Sequence, residues 1–246
     1  MKASSAADLV RDRLAGAIFS RVAGPQGPQR RQLIAAEGER WFAEDRPVRR
    51  VHGDSSMFIG GITALLLQSL HPLAMAAVAG HSGYRGDPWG RLQRTSYFLA
   101  VTTFGRASDA REAITRIRAI HQQITGTAPD GRPYAASDPH LLTWVHIAEA
   151  DLTARIADYR GELAGTAQAR EAARFLLLTP PLPALARPPY AVLAAAAVSL
   201  LPGWARRPLR LPRLPATEAA LVRPAGHAMA HAIRWAITPP PATQAS

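Results

Sequence analysis

His121 is the residue whose type and position most readily suggest chemistry. Ala110, Ile114, Ile117, His121 and Ile124 follow one another at steps of four, three, four and three. That spacing places them on one stripe of a helix expected over 108–125, with the imidazole inside the apolar stripe and not at its edge. Burying an imidazole costs free energy unless its ring nitrogens gain a partner. Two readings follow: a core histidine hydrogen-bonded to a carbonyl, or a ligand to a metal or haem iron. Arg118, one turn earlier on a neighbouring face, is placed to reach a haem propionate or a dioxygen-derived oxygen.

Other stretches offer further polar groups at helical spacing. Arg91, Arg94, Thr95, Phe98 and Thr102 fall on one side of a helix over 88–105, giving a donor-rich patch or a solvated arginine face. In the segment 138–164, His146 and Glu149 stand three apart, a carboxylate–histidine pair that can orient an imidazole or satisfy two buried polar groups. His71 ends an apolar run before Pro72, with Gln68 one turn earlier; the two suit a pocket lining or a helix terminus. His227 and His231 are four apart but lack the acidic companion of a metalloprotease helix, so they read as structural or surface groups. No glycine-rich phosphate loop, nucleophile elbow or paired-carboxylate motif occurs, and nucleotide binding, serine hydrolysis and glycoside cleavage have no support.

The elements that must position these groups are helical nearly throughout. Periodicity predicts helices near 7–22, 28–43, 55–69, 72–80, 88–105, 108–125, 138–164, 166–178, 189–201 and 217–237, with no convincing strand. Asp87-Pro88 and Asp138-Pro139 each set a capping side chain before a proline at the first helical position. Ser108 or Asp109 is a further cap candidate, with Glu112 completing a capping box. Gly105, Gly126 and Gly161 stand where helices should stop. Prolines punctuate the chain beyond Thr179, which reads as a loop-rich wrap with short helices and not as a second domain. The expected organisation is one all-α domain over 1–238 and a disordered tail over 239–246.

With 246 residues, 48% of them hydrophobic, the chain can bury one sizeable core. The absence of cysteine excludes disulfides, zinc–thiolate and iron–sulfur sites and covalently attached haem. Lysine and arginine total 29 for a net charge of +11, yet Lys2 is the single lysine and the arginines are scattered. That distribution disfavours nucleic-acid binding, which needs charge clustered on one element. The late cluster Arg206, Arg207 and Arg210 is expected in a proline-broken loop, where it could at most brush an anionic surface. No secretion signal is evident, and the longest apolar run, Tyr190 to Leu201, falls short of the roughly 20 residues that span a bilayer. A cytoplasmic protein without a transmembrane segment is expected.

Four motifs in order carry a resemblance: L-L-L-Q-x-x-H-P, R-L-x-x-T, R-x-x-H-x-x-x-x-G and Y-x-A-x-D-P-x-L-L-x-W-V-H. Over about Val48 to Tyr159 the chain resembles the MpaB-type oxygenases and latex-clearing protein (rubber oxygenase). The resemblance implies an all-α fold with a globin-like haem-binding core and one non-covalent haem b. It puts the proximal iron ligand on His121, with the motif arginine on Arg118, and distal residues on Arg91 and Thr95. The activity implied is cleavage or oxidation of isoprenoid carbon–carbon double bonds by dioxygen; for this chain the expectation is oxidation of an apolar small molecule, isoprenoid-like or aromatic, with the redox partner unspecified. Within this reading Arg91, Arg94 and Thr95 are the expected catalytic groups, and His121, Arg118, His71, Gln68 and His146 the expected cofactor-binding ones. A non-catalytic globin-like carrier or sensor of haem or an apolar ligand is the alternative.

The chain departs from rubber oxygenase at two points. Arg94 stands where that enzyme has a lysine able to coordinate iron, and a guanidinium offers no free lone pair. The sixth iron position is then expected to be open, water-filled or taken by a side chain such as His71. No glutamate occurs between Glu44 and Glu112, so the upstream acid/base glutamate of that enzyme has no counterpart, and polyisoprene cleavage itself is not expected.

Overall fold

Hydrophobic helices with small residues at their contacts dictate the architecture. The structure, a computed structural model, describes residues 6–150, 153–178 and 181–238, side chains within 148–155 excepted. In chain order the helices are α1 (Ala6–Ala23), α2 (Gly27–Ala35), α3 (Pro47–Gly53), α4 (Met57–Gln68), α5 (Pro72–His81), α6 (Pro88–Phe104) and α7 (Ala107–Gln122). A hairpin of β1 (Thr125–Thr127) and β2 (Pro133–Ala135) follows, then α8 (Pro139–Ala150), α9 (Thr153–Tyr159), α10 (Ala167–Leu178), α11 (Arg187–Leu200) and α12 (Gly203–Leu209). A short turn α13 (Pro215–Thr217) runs through a π-helical segment, Glu218–Val222, into α14 (Arg223–Ile237). The all-α class expected from periodicity is what the chain adopts.

The principal core joins α4, α8, α10, α11 and α14 around Leu66, Leu70, Trp144, Ala197 and Leu201. Alanine and glycine let these helices approach closely: a Cβ on Gly226 of α14 would lie 2.8 Å from the Cβ of Ala196 on α11. Thr63 and Ser55 donate to the carbonyls of Ala197 and Ala230, tying α4 and the turn before it to the same helices. The proline-rich C-terminal part therefore completes the core instead of only wrapping it, because its alanines offer a flat, apolar face to α4. A second layer is built on α6, against which α1, α2, α3 and α7 pack. No single described helix is long and apolar enough to cross a membrane; the bent pair α4–α5, broken by 108°, passes only when taken together.

Several boundaries differ from expectation, each for a local reason. The helix expected over 28–43 stops at Ala35, because Gly38 adopts φ +149° and Arg40 folds back. The Arg40 guanidinium donates to the carbonyls of Ile34, Ala36 and Phe104, satisfying the ends of α2 and α6 together. The hairpin was not expected. It closes on Ala128-Pro129-Asp130-Gly131, where Gly131 N–H donates to the Ala128 carbonyl and Gly131 takes φ +86°, a conformation that favours glycine. The carboxylates of Asp87 and Asp138 accept from the backbone N–H of Gly90 and His140, as expected of caps. Ser108 and Asp109 do not cap: α7 starts at Ala107, and Asp109 instead forms a two-point pair with Arg106 at 2.8 and 3.0 Å. The expectation for the tail over 239–246 lies outside the described residues.

Candidate active site

Two separate groups of polar residues emerge, one on the α6–α7 layer and one inside the core. On α7, Ala107 and Ala110 are buried, whereas Ile114, Ile117, His121 and, just beyond the helix, Ile124 are half-buried. The helix packs extensively along α6 alone among the described elements. Its apolar stripe is thus shielded without being closed over. The His121 ring has no hydrogen-bond partner among the described residues, and burial pushes its pKa down. Desolvation disfavours the imidazolium, so the ring is neutral at ordinary pH and keeps a nitrogen lone pair available. Arg118 is exposed, with no ion-pair partner among the described residues.

On α6, Arg91 is partly buried and donates to the Ser82 hydroxyl at 2.6 Å; burial, then the neighbouring Arg94 charge, lowers its pKa. Arg94 is exposed and pairs with Asp87 at 3.3 Å, and Thr95 is exposed as well. Thr102 turns inward to donate to the carbonyls of Phe98 and Leu99. The five residues read as one stripe therefore grade from solvated at Arg94 and Thr95 to half-buried at Phe98 and Thr102.

A further uncovered surface lies on α4. Met57, Gly61, Leu65 and Gln68 recur at steps of four, four and three, and Leu65 is 38% exposed in an otherwise strongly apolar helix. A Cβ on Gly60 or Gly61 would meet nothing within 4 Å. A flat apolar group can approach such a backbone closely, which is what a porphyrin face requires. A neutral, unpartnered imidazole on α7 with half-covered isoleucines beside it is the donor type that haem b takes; the bare glycine pair belongs to α4, in the other layer.

The second group sits in the core. His71, the N-cap of α5, is fully buried among Trp144, Tyr159 and His140, with ring centroids 6.0–6.3 Å away. Its Nε2 lies 3.2 Å from Glu162, and both carboxylate oxygens of Glu162 lie 2.9–3.0 Å from His140 Nε2. The ligand atoms of His71, His140 and Glu162 fall within 4.8 Å of one another, close enough for a divalent metal ion. Ala74 N–H faces His71 Nδ1 at 3.5 Å, however, which puts the ring proton on Nε2. Metal binding through Nε2 would need the opposite tautomer. With its proton on Nε2, His71 donates to Glu162, so it is committed there and is not free to serve as a sixth iron ligand.

Gln68 accepts from Trp144 Nε1 through its carbonyl at 3.2 Å. His146 is exposed, and the side chain of Glu149 lies outside those described. His227 and His231 are exposed, and His227 Nδ1 lies 2.9 Å from the Arg223 carbonyl. No hydrogen bond, ion pair or ring contact among the described residues joins His121 to His71 or His146. His140 and Glu162 were not singled out from sequence. His140 sits in the cap of α8, and Glu162 lies past Tyr159, where the backbone turns at Arg160 and Gly161 and carries the carboxylate back to α8.

Burial lowers the pKa of His52, His71 and His121 below the ordinary 6.5. The unfolded chain therefore binds more protons than the native one as pH falls below 6.5 toward the native values, and stability drops over that window. Unfolding midpoints measured in steps across it should decline on acidification. His71→Gln, which cannot titrate, should flatten the decline; an unchanged slope would assign the effect to other groups.

The comparisons agree with the resemblance carried by the four motifs. The family described as ER-bound oxygenase mpaB/B'/rubber oxygenase, catalytic domain, matches residues 49–163 and 148–235. No curated protein and no solved structure matches the chain. The first matched stretch holds α4 to α9 with both polar groups, and the second brings in the C-terminal helices that complete the core. With most of its length so matched, the chain belongs to the mpaB/rubber oxygenase catalytic-domain family.

Proposed function

We propose that the protein is a haem b-dependent oxygenase that uses dioxygen on an apolar small molecule, isoprenoid-like or aromatic, with His121 as the residue that would hold the iron. The observation that carries the reading is the His121 ring: neutral through burial, without a hydrogen-bond partner among the described residues, on a stripe over which no second helix is packed extensively. A histidine conserving only the fold would be expected to hold a carbonyl or carboxylate, as His71 does. Haem bound at this position would supply dioxygen binding and activation, chemistry that belongs to the cofactor.

The chain's own residues would place and polarise. Arg118, on the neighbouring face of α7, is free to neutralise a propionate. Arg91, partly buried and fixed by Ser82, would stabilise negative charge developing on oxygen as a preorganised donor; Arg94 and the Thr95 hydroxyl, solvated here, would add to it where bound haem and substrate exclude water. Arg94 always carries its proton and acts as a charge and not as a ligand. The apolar surface of α4 around Gly60, Gly61 and Leu65 suits a hydrocarbon or a ring face better than a sugar or a nucleotide.

Absorption spectroscopy of protein produced with added haem tests this. The parent protein should show a Soret band, and His121→Ala should lose it while retaining helical circular dichroism. Imidazole added to the variant should restore part of the band by filling the vacated ligand position. Equal haem content and identical spectra in parent and variant would refute the assignment of His121. Aerobic incubation of the reduced protein with isoprenoid and aromatic compounds then separates an oxygenase, which gives oxygenated product, from a carrier, which gives none.

A further inference from the structure

A second site lies far along the chain from His121, where α11 ends and α14 begins. Arg206 of α12 is 5% exposed, an unusual place for a guanidinium, and every direction it offers is used. It donates to the carbonyls of Ser199, Leu201 and Pro212 and to both oxygens of Glu218, at 2.5 and 3.1 Å. Glu218 accepts in addition from Leu214 N–H at 3.0 Å. The Arg206–Glu218 pair is therefore a rigid floor with no net charge, and the π-helical turn Glu218–Val222 begins at that carboxylate.

Above the floor is a cleft of about 360 Å³ whose wall includes Arg213 and Arg223. Neither guanidinium has a hydrogen-bonded or ion-paired partner among the described residues. Arg213 lies close over the backbone of Gly203: a Cβ there would be 3.1 Å from its Nη1. Glycine at this position lets the guanidinium lie along the wall. Arg223 is near enough for its charge to add to the lowering of the Glu218 pKa, after the larger effect of Arg206. A second cleft of about 540 Å³ shares Gly203, Arg206 and Arg213 with the first and adds Trp204, Arg207 and Leu211.

We propose that this cleft binds a phosphate-bearing group, with Arg213 and Arg223 gripping its oxygens over the neutral Arg206–Glu218 floor. Two uncompensated guanidiniums match a dianion, and their forked donors suit the several oxygens of a phosphate. The adjoining cleft, walled by Trp204 and Leu211, gives room for an apolar part attached to that group. Bound this way, the phosphate leaves every hydrogen bond of Arg206 intact.

Calorimetric titration with inorganic pyrophosphate tests the site directly. Arg213→Gln/Arg223→Gln should bind it at least roughly tenfold more weakly than the parent, the loss expected when charge-assisted hydrogen bonds to the anion are removed. Arg13→Gln/Arg50→Gln removes the same charge elsewhere and should leave binding unchanged; circular dichroism checks that both variants fold. Co-sedimentation with phosphatidylcholine vesicles, with and without phosphatidic acid, assigns the source. Arg213- and Arg223-dependent capture by the acidic vesicles identifies a lipid headgroup, and pyrophosphate binding without capture identifies a soluble phosphorylated molecule. No binding to either probe, or binding weakened equally by the Arg13/Arg50 variant, overturns the proposal. Haem content plays no part in these readings, so they succeed or fail independently of His121.

Discussion

Arg206→Ala is expected to destabilise the protein by about 3–5 kcal/mol, the cost of removing one member of a buried ion pair and stranding the other. Glu218 would lose both of its guanidinium contacts, and the carbonyls of Ser199, Leu201 and Pro212 would lose their donor. Against a total stability of about 5–15 kcal/mol, that loss is large. Arg206→Met/Glu218→Leu should recover much of it, because well-packed apolar replacements of both partners remove the desolvation cost with the attraction. Urea unfolding of the parent, the single variant and the double variant measures the difference. A single-variant loss below about 1 kcal/mol would place the pair with exposed salt bridges and contradict the burial described.

That arginine also shows why one part of the chain was harder to read than another. Arg206, Arg207 and Arg210 look alike in sequence, a basic cluster among prolines, and only the fold separates them. Arg206 points into the core, Arg207 and Arg210 are exposed, and Arg210 ends α12 at φ +56°. Side-chain burial in an irregular segment has no periodicity to announce it. Where periodicity operates, more was legible: α4, α5, α6 and α10 fall within a residue or two of the expected limits, and at α5 and α6 proline, a capping aspartate and glycine mark the ends chemically. The stripe on α7 was legible too. The degree to which its isoleucines and His121 stay uncovered was not, because that depends on which neighbouring helix fails to pack over them. His140 and Glu162 escaped notice because a carboxylate returning from beyond a helix end leaves no fixed spacing to its partners.

The family's motifs gain a physical meaning from where they meet. L-L-L-Q-x-x-H-P supplies Gln68, Leu70 and His71, and D-P-x-L-L-x-W-V-H supplies Trp144, which packs on His71 and donates to the Gln68 carbonyl. That main-chain carbonyl lies at the end of α4, where it accepts both the indole N–H and, at 3.3 Å, the His71 N–H of the turn into α5. Trp144 is fully buried and one of the largest side chains in the core. Trp144→Ala should therefore cost about 3–5 kcal/mol through the cavity it leaves. Trp144→Phe keeps most of the volume but removes the indole N–H, and its hydrogen-bond part of the loss should be about 0.5–1.5 kcal/mol. Denaturant midpoints of the two variants separate the roles: a Phe variant as damaged as the Ala variant would put the weight on the hydrogen bond. An undamaged Ala variant would mean that α4 and α8 are held together elsewhere. With the expected order, these two motifs serve first to lock α4, α5 and α8 around a buried histidine, which leaves the layer carrying His121 free for the chemistry proposed there.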